Sequence, residues 1–402
     1  MLIAPPILAV VAAVSLAPGV PPDGMPRVSQ DGISGVVFAD RNGNGARDAS
    51  EPGIAGVAVS DQDTVVVTDG AGRYRLVGRN GTGVVFVSVP EGYRAAGRFW
   101  APAASGAIVD FPLRRRAPSA RITFIHASDV HVDERSLPRM RRLLALVDSI
   151  APSFVIVTGD LVRDALRVGE AEAAGYYELF GAEAAKVKVP LWTVPGNHEI
   201  FGIERERSGV SAAHPLYGRG MYRHFRGPDY YSFNAGGIHF VGLNTVDMDD
   251  TRYYGHVDSL QLQWLARDLA VVPPGRPVVT FNHIPFFSAL EVIHGYSEEP
   301  PAPSVIDVGG KKSFRHTVSN ASAVIERMRG RPYPLALAGH VHARESLRYA
   351  GVDTRFDQGA AVLAPTEGGG VTFPSGVTVY EVRAGRVGEG RFVPLGLGTA
   401  GR

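Results

Sequence analysis

Residues 191–199 read Leu191-Trp192-Thr193-Val194-Pro195-Gly196-Asn197-His198-Glu199. The stretch begins as a short apolar strand and turns at a glycine, after which an amide, an imidazole and a carboxylate follow one another. Buried amides and imidazoles are costly unless every polar atom is hydrogen-bonded, so this pair is unusual for a core. A metal site would use both, because amide oxygens and imidazole nitrogens are metal ligands. A polar turn in which Glu199 starts a helix is the alternative.

The composition indicates a globular chain of about two domains. Of its 402 residues 45% are apolar, which is enough for a large core. The 41 basic and 40 acidic residues nearly cancel, and the net charge of +1 argues against a broad nucleic-acid-binding surface. No cysteine is present, which excludes thiolate ligands, disulfides and cysteine nucleophiles. Any metal must therefore be bound by oxygen and imidazole nitrogen.

The first 32 residues predict an export signal (1–19) followed by a linker (20–32). An apolar run at 7–17 resembles the central region of a signal peptide, and Ser15-Leu16-Ala17 is a small-residue cleavage site. The run is shorter than the roughly 20 apolar residues of a transmembrane helix. We therefore expect an exported protein, periplasmic, cell-surface or secreted, without a membrane span.

Residues 33–113 alternate short β-type runs with Gly- and Asp-rich turns, which predicts a small all-β sandwich. One of its loops has the spacing of oxygen side chains found in EF-hand calcium loops, with glycine in the sixth place. The candidate calcium ligands are Asp40, Asn42, Asn44, Asp48 and Glu51. A self-hydrogen-bonded, Asx-rich turn is the alternative.

A basic linker at 114–119 separates this region from residues 120–393, in which strands alternate with helical segments, as in α/β domains. Residues 394–402 form a tail. Five strands of the α/β region end in polar clusters, which read Asp129-Val130-His131, Gly159-Asp160, Asn197-His198, Asn282-His283 and His340-Val341-His342. Ligands bind outside the carboxyl ends of strands in such sheets, so the clusters should converge.

The number of candidate ligands implies two ions rather than one. The seven are Asp129, His131, Asp160, Asn197, His283, His340 and His342. They suit a pair of cations about 3.5–4 Å apart that share a carboxylate, and Asp160 is the natural bridge. A single cluster could be a core histidine or a turn, but five in order are hard to obtain by chance. We expect the glycines before Asp160, Asn197 and His340 to let the backbone turn sharply.

This ordered set of motifs resembles the calcineurin-like metallophosphoesterases over about residues 120–385. The resemblance implies an α/β (α+β) fold of two central mixed sheets flanked by helices, preceded here by the all-β domain. It implies one ion bound by Asp129, His131, Asp160 and His342, and another bound by Asp160, Asn197, His283 and His340. The residue types leave the metals open among Mn, Fe, Zn and Co. Purple acid phosphatases carry a tyrosine where this chain has Arg163, which places it with the non-purple branch.

The resemblance also implies an enzyme that hydrolyses phosphate esters, most readily phosphodiesters, of small or lipid-linked molecules. A hydroxide bridging the two ions would attack phosphorus, and His198 would act as general acid. Phosphomonoesters and nucleotide pyrophosphates stay open as substrates, because the motifs do not separate them. A non-catalytic exported binding protein is the alternative from another class. Glu199 is expected to support its neighbours or cap a helix rather than bind an ion.

Two other segments lie outside the motif set. Residues 35–40 and 51–57 resemble the collagen-adhesin B-type and serine-aspartate-repeat B-type modules, which implies an accessory domain able to contact a cell surface. An insertion at 287–317 follows His283, and a loop of this length beside a site is often a lid or a specificity element. Its cationic residues Lys311, Lys312, Arg315 and His316 could meet a phosphate, or they could be solvated loop charges.

Overall fold

The computed structural model describes residues 32–396 except 78–81, 118, 120, 291–294, 296 and 298–302. The predicted signal segment 1–19, linker residues 20–31 and tail residues 397–402 lie outside the described residues. Among the helices that are described, none combines the length and the apolar character needed to cross a membrane.

The described residues before 116 contain strands and no helix. The strands are β1 (Ile33–Ala39), β2 (Ala58–Ser60), β3 (Val65–Val67), β4 (Arg73–Leu76), β5 (Val84–Val87), β6 (Tyr93–Ala95), β7 (Trp100–Pro102) and β8 (Phe111–Arg115). They form two four-stranded sheets, in the orders β4-β1-β8-β6 and β3-β2-β5-β7. Both sheets contribute buried apolar side chains to one core, which confirms the predicted all-β region.

The remainder of the chain alternates strands and helices and then ends in strands. The first of these elements are β9 (Arg121–Ala127), α1 (Leu137–Ile150), β10 (Phe154–Val157), α2 (Glu170–Ala184), β11 (Leu191–Thr193), a 3₁₀ turn (Asn197–Glu199), α3 (Arg205–Ser208), α4 (Gly220–Arg226), β12 (Tyr231–Ala235), β13 (Ile238–Gly242), β14 (Val246–Asp249), β15 (Arg252–Gly255) and α5 (Ser259–Ala270). The others are β16 (Val278–Phe281), β17 (Val305–Val308), β18 (Lys311–Phe314), α6 (Ala321–Arg327), β19 (Leu335–Ala338), β20 (Glu345–Leu347), β21 (Arg355–Gln358), β22 (Thr366–Gly368), β23 (Val371–Phe373), β24 (Gly376–Arg383), β25 (Arg386–Val387) and β26 (Arg391–Pro394).

Two six-stranded mixed sheets form the centre of this second region, which confirms the predicted fold class. The first has the order β11-β10-β9-β24-β25, with β26 on β24, and the second has the order β12-β13-β16-β19-β21-β20. Strands β9, β10 and β11 run parallel to one another. Strands β13, β16, β19 and β21 do the same in the second sheet. In each sheet the carboxyl ends of the parallel strands therefore lie at the same end of the sheet.

Phenylalanine rings from the two sheets pack against one another in the core between them. Phe124 and Phe154 of the first sheet stack with their centroids 5.2 Å apart. Phe154 meets Phe233 of the second sheet edge-on at 5.3 Å, and Phe233 stacks on Phe240 at 4.9 Å. All four side chains are buried, and each contributes about 1.5–3 kcal/mol relative to an exposed one. This packing fixes the two sheets relative to each other, and with them their ligand-bearing ends.

The N-terminal strands pack directly on the second region. The indole N–H of Trp264 in α5 donates to Ser60 Oγ of β2 at 3.1 Å. The ring of Phe86 in β5 lies 6.3 Å from that of Trp264 and 6.4 Å from that of Tyr231. Backbone pairing continues the contact, because Asn234 N–H donates to the carbonyl of Val89 at 2.9 Å. One hydrophobic core thus runs through both regions.

The β-type runs of the sequence, at 35–38, 56–60, 65–68, 74–76 and 84–89, predict five strands in this region and miss β6, β7 and β8. Two of them contain three residues each, which is too short to display an alternation of apolar and polar positions. Strand β8 runs to Arg115, two residues beyond the predicted boundary at 113, because Arg115 pairs with Tyr93. The basic triplet is therefore partly strand rather than wholly linker.

Replacing Trp264 by alanine should lower the free energy of unfolding by about 3–5 kcal/mol, because a large buried side chain and its link to Ser60 are lost. Leu260 lies in the same helix and is 54% exposed, so Leu260→Ala should change it by less than about 0.5 kcal/mol. Urea unfolding followed by circular dichroism measures both. Equal stability of the two variants would show that the two regions do not share a core.

Candidate metal centre

The five predicted clusters lie in the turns that follow β9, β10, β11, β16 and β19. The first three strands belong to one sheet and the last two to the other, so the clusters meet where the two sheets open on the same edge. A hydrogen bond joins the sheets at this point. The Nδ1 of His283 donates to the carbonyl of Thr158 at 2.7 Å. The ring of His283 is thereby fixed with Nε2 turned toward the other clusters.

Four side chains form a first group of potential ligands, in which one ligand atom from each lies within 4.8 Å of the others. They are Asp129, His131, Asp160 and His342. The Nε2 atoms of His131 and His342 lie 3.4 Å apart. The Nε2 of His342 lies 3.3 Å from Asp129 Oδ1. This is the set that the family resemblance assigns to one ion.

A second group contains Asp160, His283 and His340, again with ligand atoms within 4.8 Å. The Nε2 of His283 lies 3.2 Å from Nδ1 of His340 and 3.0 Å from the amide oxygen of Asn197. Asn197 therefore joins this group, as predicted. All seven residues singled out by their motifs are brought together, and none lies apart.

Asp160 belongs to both groups. Its Oδ1 lies 3.3 Å from Nε2 of His283, and its Oδ2 lies 3.4 Å from Nε2 of His131. Each oxygen thus faces one set of imidazoles, which is the placement that a bridging carboxylate needs. The backbone N–H of His198 also donates to Oδ1 at 3.0 Å, and this contact fixes the carboxylate's orientation.

The backbone at these turns is strained. Nine non-glycine residues among those described have a positive φ, and five of them are candidate ligands, namely Asp129, His131, Asp160, His340 and His342. A left-handed conformation costs an L-residue roughly 1–2 kcal/mol. Strain concentrated on ligands, rather than spread over loops, is typical of functional sites that the surrounding packing holds in place.

Of the three glycines that precede ligands, two are required by close contacts with neighbouring residues rather than by the backbone conformation of a turn. Only Gly159 has a positive φ, and at Gly196 φ is −99°. A Cβ on Gly196 would lie 2.1 Å from Asp160 Oδ1, and one on Gly339 would lie 1.8 Å from Ser128 Oγ. The expectation that all three glycines let the backbone turn was therefore wrong for two of them. Any side chain there would displace the neighbouring ligand turn.

The electrostatics of the cluster fit a pair of cations. Burial lowers the pKa of His131 to about 3, so this imidazole is neutral and keeps a lone pair for a metal. Burial opposes protonation of His283, but the carboxylates of Asp160 and Asp129 raise its pKa to about 9. The two buried carboxylates thus attract positive charge strongly at this spot. Four imidazoles, two carboxylates and one amide form a donor set suited to Mn, Fe, Zn or Co.

Glu199 holds two ligand turns together without facing the cluster. Its Oε1 accepts the backbone N–H groups of Leu161 and Val162 at 2.7 and 3.0 Å. Its Oε2 accepts those of Asp160 and Gly196 at 2.8 and 2.6 Å. The side chain is fully buried. This carboxylate therefore ties the turn after β10 to the turn after β11, a supporting role of the kind expected from the sequence.

His198 presents one ring nitrogen to the cluster. Its Nδ1 lies 2.8 Å from the carbonyl of Arg163, and because a carbonyl only accepts, Nδ1 carries a proton. The other nitrogen, Nε2, lies 4.0 Å from Asp160 Oδ2. The side chain is 24% exposed, so a substrate can reach it. This arrangement suits a group that exchanges a proton at Nε2.

His316, one of the cationic residues of the 287–317 insertion, contacts a candidate ligand directly. Its Nδ1 lies 2.8 Å from Nε2 of His340, and the two rings are stacked. It thereby orients His340, in the way that hydrogen bonds from outside the ligand set usually orient metal-binding histidines. Arg315 lies beside it, with its guanidinium 4.4 Å above the ring of Tyr253. Only the position of these residues in the insertion hinted at a role.

The N-terminal loop at 40–51 is held by its own hydrogen bonds. Asp40 Oδ1 accepts from Gly43 N–H at 2.6 Å, and Glu51 Oε1 accepts from Arg41 N–H at 2.7 Å. The amide groups of Asn42 and Asn44 both donate to Asp48 Oδ2. These contacts are those of an Asx-rich turn, and calcium binding by the loop stays a prediction.

Comparison with known families agrees with this geometry. Residues 122–344 match the sequence profile of the calcineurin-like phosphoesterases. The chain belongs to this family. It is accordingly a hydrolase acting on phosphoric esters, and its ligand groups are those of a two-metal phosphoesterase. Residues 41–115 match the profile of the N-terminal domain of calcineurin-like phosphoesterases, whereas the resemblance to adhesin modules stays a prediction.

Several proteins are similar to this phosphoesterase. A probable cyclic nucleotide phosphodiesterase of Rhodococcus erythropolis is 24% identical over 251 residues, covering 58% of this chain and 69% of that protein. A cAMP/cGMP dual specificity phosphodiesterase of Mycobacterium tuberculosis is 23% identical over 258 residues, covering 58% of this chain and 66% of that protein. Purple acid phosphatase 15 of Arabidopsis thaliana is 36% identical over 109 residues, covering 25% and 18%. A solved dimetal phosphatase from Danio rerio has 16% identity and a TM-score of 0.44, covering 68% of this chain and 99% of that one.

Replacing Glu199 by glutamine should lower the free energy of unfolding by at least about 1–3 kcal/mol, because the new NH₂ group faces N–H donors that lose their acceptor. Glu206 lies on the exposed surface, and Glu206→Gln serves as the matched control with little change. Chemical denaturation of the metal-free proteins measures the effect without a contribution from metal affinity. A Glu199→Gln protein as stable as the control would contradict the tethering role.

Proposed function

We propose that the chain is an exported phosphodiesterase that works with two divalent cations and uses His198 as general acid. The observation that carries the proposal is the pair of ligand groups sharing Asp160, with Nε2 of His198 turned toward the same point. The names of the two bacterial relatives, both phosphodiesterases, support diesters as the substrate class. Phosphomonoesters and nucleotide pyrophosphates are the alternative substrates of the same site.

The ligand assignment follows the two groups. Asp129, His131, Asp160 and His342 would hold one cation, and Asp160, Asn197, His283 and His340 would hold the other. When bound, the two cations supply Lewis-acid stabilisation of the phosphoryl oxygens and activate water as a nucleophile. Mn, Fe, Zn and Co are all compatible with these ligands, because availability decides as much as affinity.

The protein's own contribution centres on proton transfer at His198. The bond from Nδ1 to the Arg163 carbonyl fixes the ring, so Nε2 is the atom that gives a proton to the leaving oxygen. The carboxylate of Asp160 lies 4.0 Å from Nε2, which places this nitrogen beside the proposed bridging ligand. A positioned acid of this kind contributes about 10²–10⁴-fold to the rate.

Support for an enzyme rather than a binding protein comes from the completeness of the site. A binding protein that used this fold only as a scaffold would need neither seven converging ligands nor a His198 that faces them. Export is proposed from the apolar run at 7–17 and the cleavage-like Ser15-Leu16-Ala17. In an exported enzyme the N-terminal sandwich is free to contact a cell surface, and small or lipid-linked esters are equally accessible substrates.

His198→Ala should retain both metals and lose about 10²–10⁴-fold in turnover, because only the proton donor is removed. His224 is an exposed histidine outside the cluster, and His224→Ala should keep full activity. Metal content by mass spectrometry and turnover of a diester with a basic alkoxide leaving group, which needs the proton, are the two readouts. Unchanged turnover in His198→Ala would remove its assigned role.

A substrate panel tests the reaction itself. Purified protein with Mn²⁺ should hydrolyse bis-p-nitrophenyl phosphate faster than p-nitrophenyl phosphate, and a chelator should abolish both activities. A nucleoside diphosphate sugar provides the pyrophosphate comparison. Preference for the monoester or for the pyrophosphate would replace the diester assignment. No hydrolysis of any of the three would favour the binding-protein alternative.

A further inference from the structure

A cavity of about 490 Å³ lies directly beside the metal centre, and His342 forms part of its wall. Its other lining residues include Asp133, Arg135, Ser136, Arg163 and Glu367. The volume is within the range of about 300–1,000 Å³ that is usual for small-molecule sites. None of the ligand motifs accounts for this space.

The walls of this pocket are continuations of the ligand turns. The hydroxyl of Ser136 donates to the carbonyl of His131 at 3.0 Å. On the second wall Arg163 N–H donates to Val132 at 3.1 Å, and on the third Leu363 N–H donates to Asp129 at 3.0 Å. The pocket is therefore fixed relative to the metal centre by backbone contacts rather than formed by a mobile surface loop.

The two arginines of the pocket wall match its two carboxylates, Asp133 and Glu367, in formal charge, but neither arginine is ion-paired with them. Arg135 and Arg163 are exposed, and no carboxylate of the described residues lies within ion-pairing distance of either guanidinium. The pocket's carboxylates have other partners, because Asp133 Oδ1 accepts from Ser136 N–H at 2.7 Å and Glu367 Oε1 accepts from Thr372 at 3.2 Å. Guanidinium groups bind phosphates and carboxylates through paired N–H donors. An anion entering this pocket would thus find two open binding partners.

The ring of His131 is close both to the proposed general acid and to the pocket wall. The ring of His131 lies 4.5 Å from that of His198 and 5.3 Å from that of His342. Arg163 connects the two features, since its carbonyl binds His198 while its side chain lines the pocket. The oxygen that His198 protonates belongs to the leaving group. A leaving group protonated by His198 would therefore have this pocket beside it.

We propose that this pocket receives the leaving group and that Arg135 and Arg163 bind a second anionic group carried on it. The inference rests on the proposed phosphodiesterase function and narrows its substrate class. The preferred substrates are then phosphodiesters whose leaving alcohol also bears a phosphate or a carboxylate. A diester with uncharged substituents would occupy the metal centre but leave the arginines unused.

Matched dinucleotides test this substrate class. Thymidylyl-thymidine is compared with its 5′-phosphorylated and 3′-phosphorylated forms, so that either direction of cleavage places a phosphate on the leaving nucleoside. The original protein should favour one phosphorylated form by about tenfold or more in kcat/KM, mainly through KM. The Arg135→Ala, Arg163→Ala double variant should bring this ratio close to one. The Arg163→Lys variant should keep part of the preference for the phosphorylated form, because lysine keeps the charge without the paired donors.

The ratio of the two specificity constants is the readout, so a general loss of activity cancels. Arg329 is an exposed arginine that pairs with Glu326 and does not line this pocket. Arg329→Ala should therefore leave the ratio unchanged. A protein that hydrolyses bis-p-nitrophenyl phosphate yet shows no preference for either phosphorylated dinucleotide would overturn this inference alone. A double variant that keeps the preference would overturn it as well. Failure to hydrolyse any diester would overturn the proposed function, and this inference with it.

Discussion

The carboxylate of Asp160 is the contact on which the rest of the metal centre depends. It faces His131 from one sheet and His283 from the other, so both ligand groups exist only while the two sheets keep their relative position. A buried charge of this kind is stable only when hydrogen bonds and positive charge surround it. The backbone N–H of His198 donates one such hydrogen bond, and the imidazoles of His131 and His283 face the two carboxylate oxygens. A shift of either sheet would break both groups together.

Rigid packing explains how so much backbone strain survives in one place. Five ligands adopt left-handed conformations, which together oppose folding by several kcal/mol. The packed phenylalanine rings between the sheets and the backbone N–H groups bound by Glu199 offset that strain. A metal centre assembled in advance in this way needs little rearrangement when cations bind, which is the usual condition for a precise catalytic site.

The sequence predicted most of the metal centre and less of its surroundings. The ligand set was readable because each ligand sits next to its strand, so short motifs and strand order were sufficient to bring all seven together. Contacts between residues distant in sequence were not readable. The pairing of His316 with His340, the four N–H groups on Glu199 and the docking of Trp264 on Ser60 depend on tertiary structure alone. The glycines were identified correctly but for the wrong reason. Gly196 and Gly339 leave no room for a Cβ, because atoms of residues distant in sequence lie against them in the folded chain.

Trp192 connects the N-terminal sandwich to the metal centre. It lies in β11, whose end carries Asn197, and its ring stacks on Phe233 at 4.0 Å and meets Phe99 of the N-terminal region at 4.9 Å. A chain starting near residue 120 would leave this aromatic face open to water and prone to self-association. During synthesis the N-terminal residues leave the ribosome first and can fold before the rest of the chain emerges. The N-terminal strands would then already be outside the ribosome and could cover the aromatic face as soon as β11 appears.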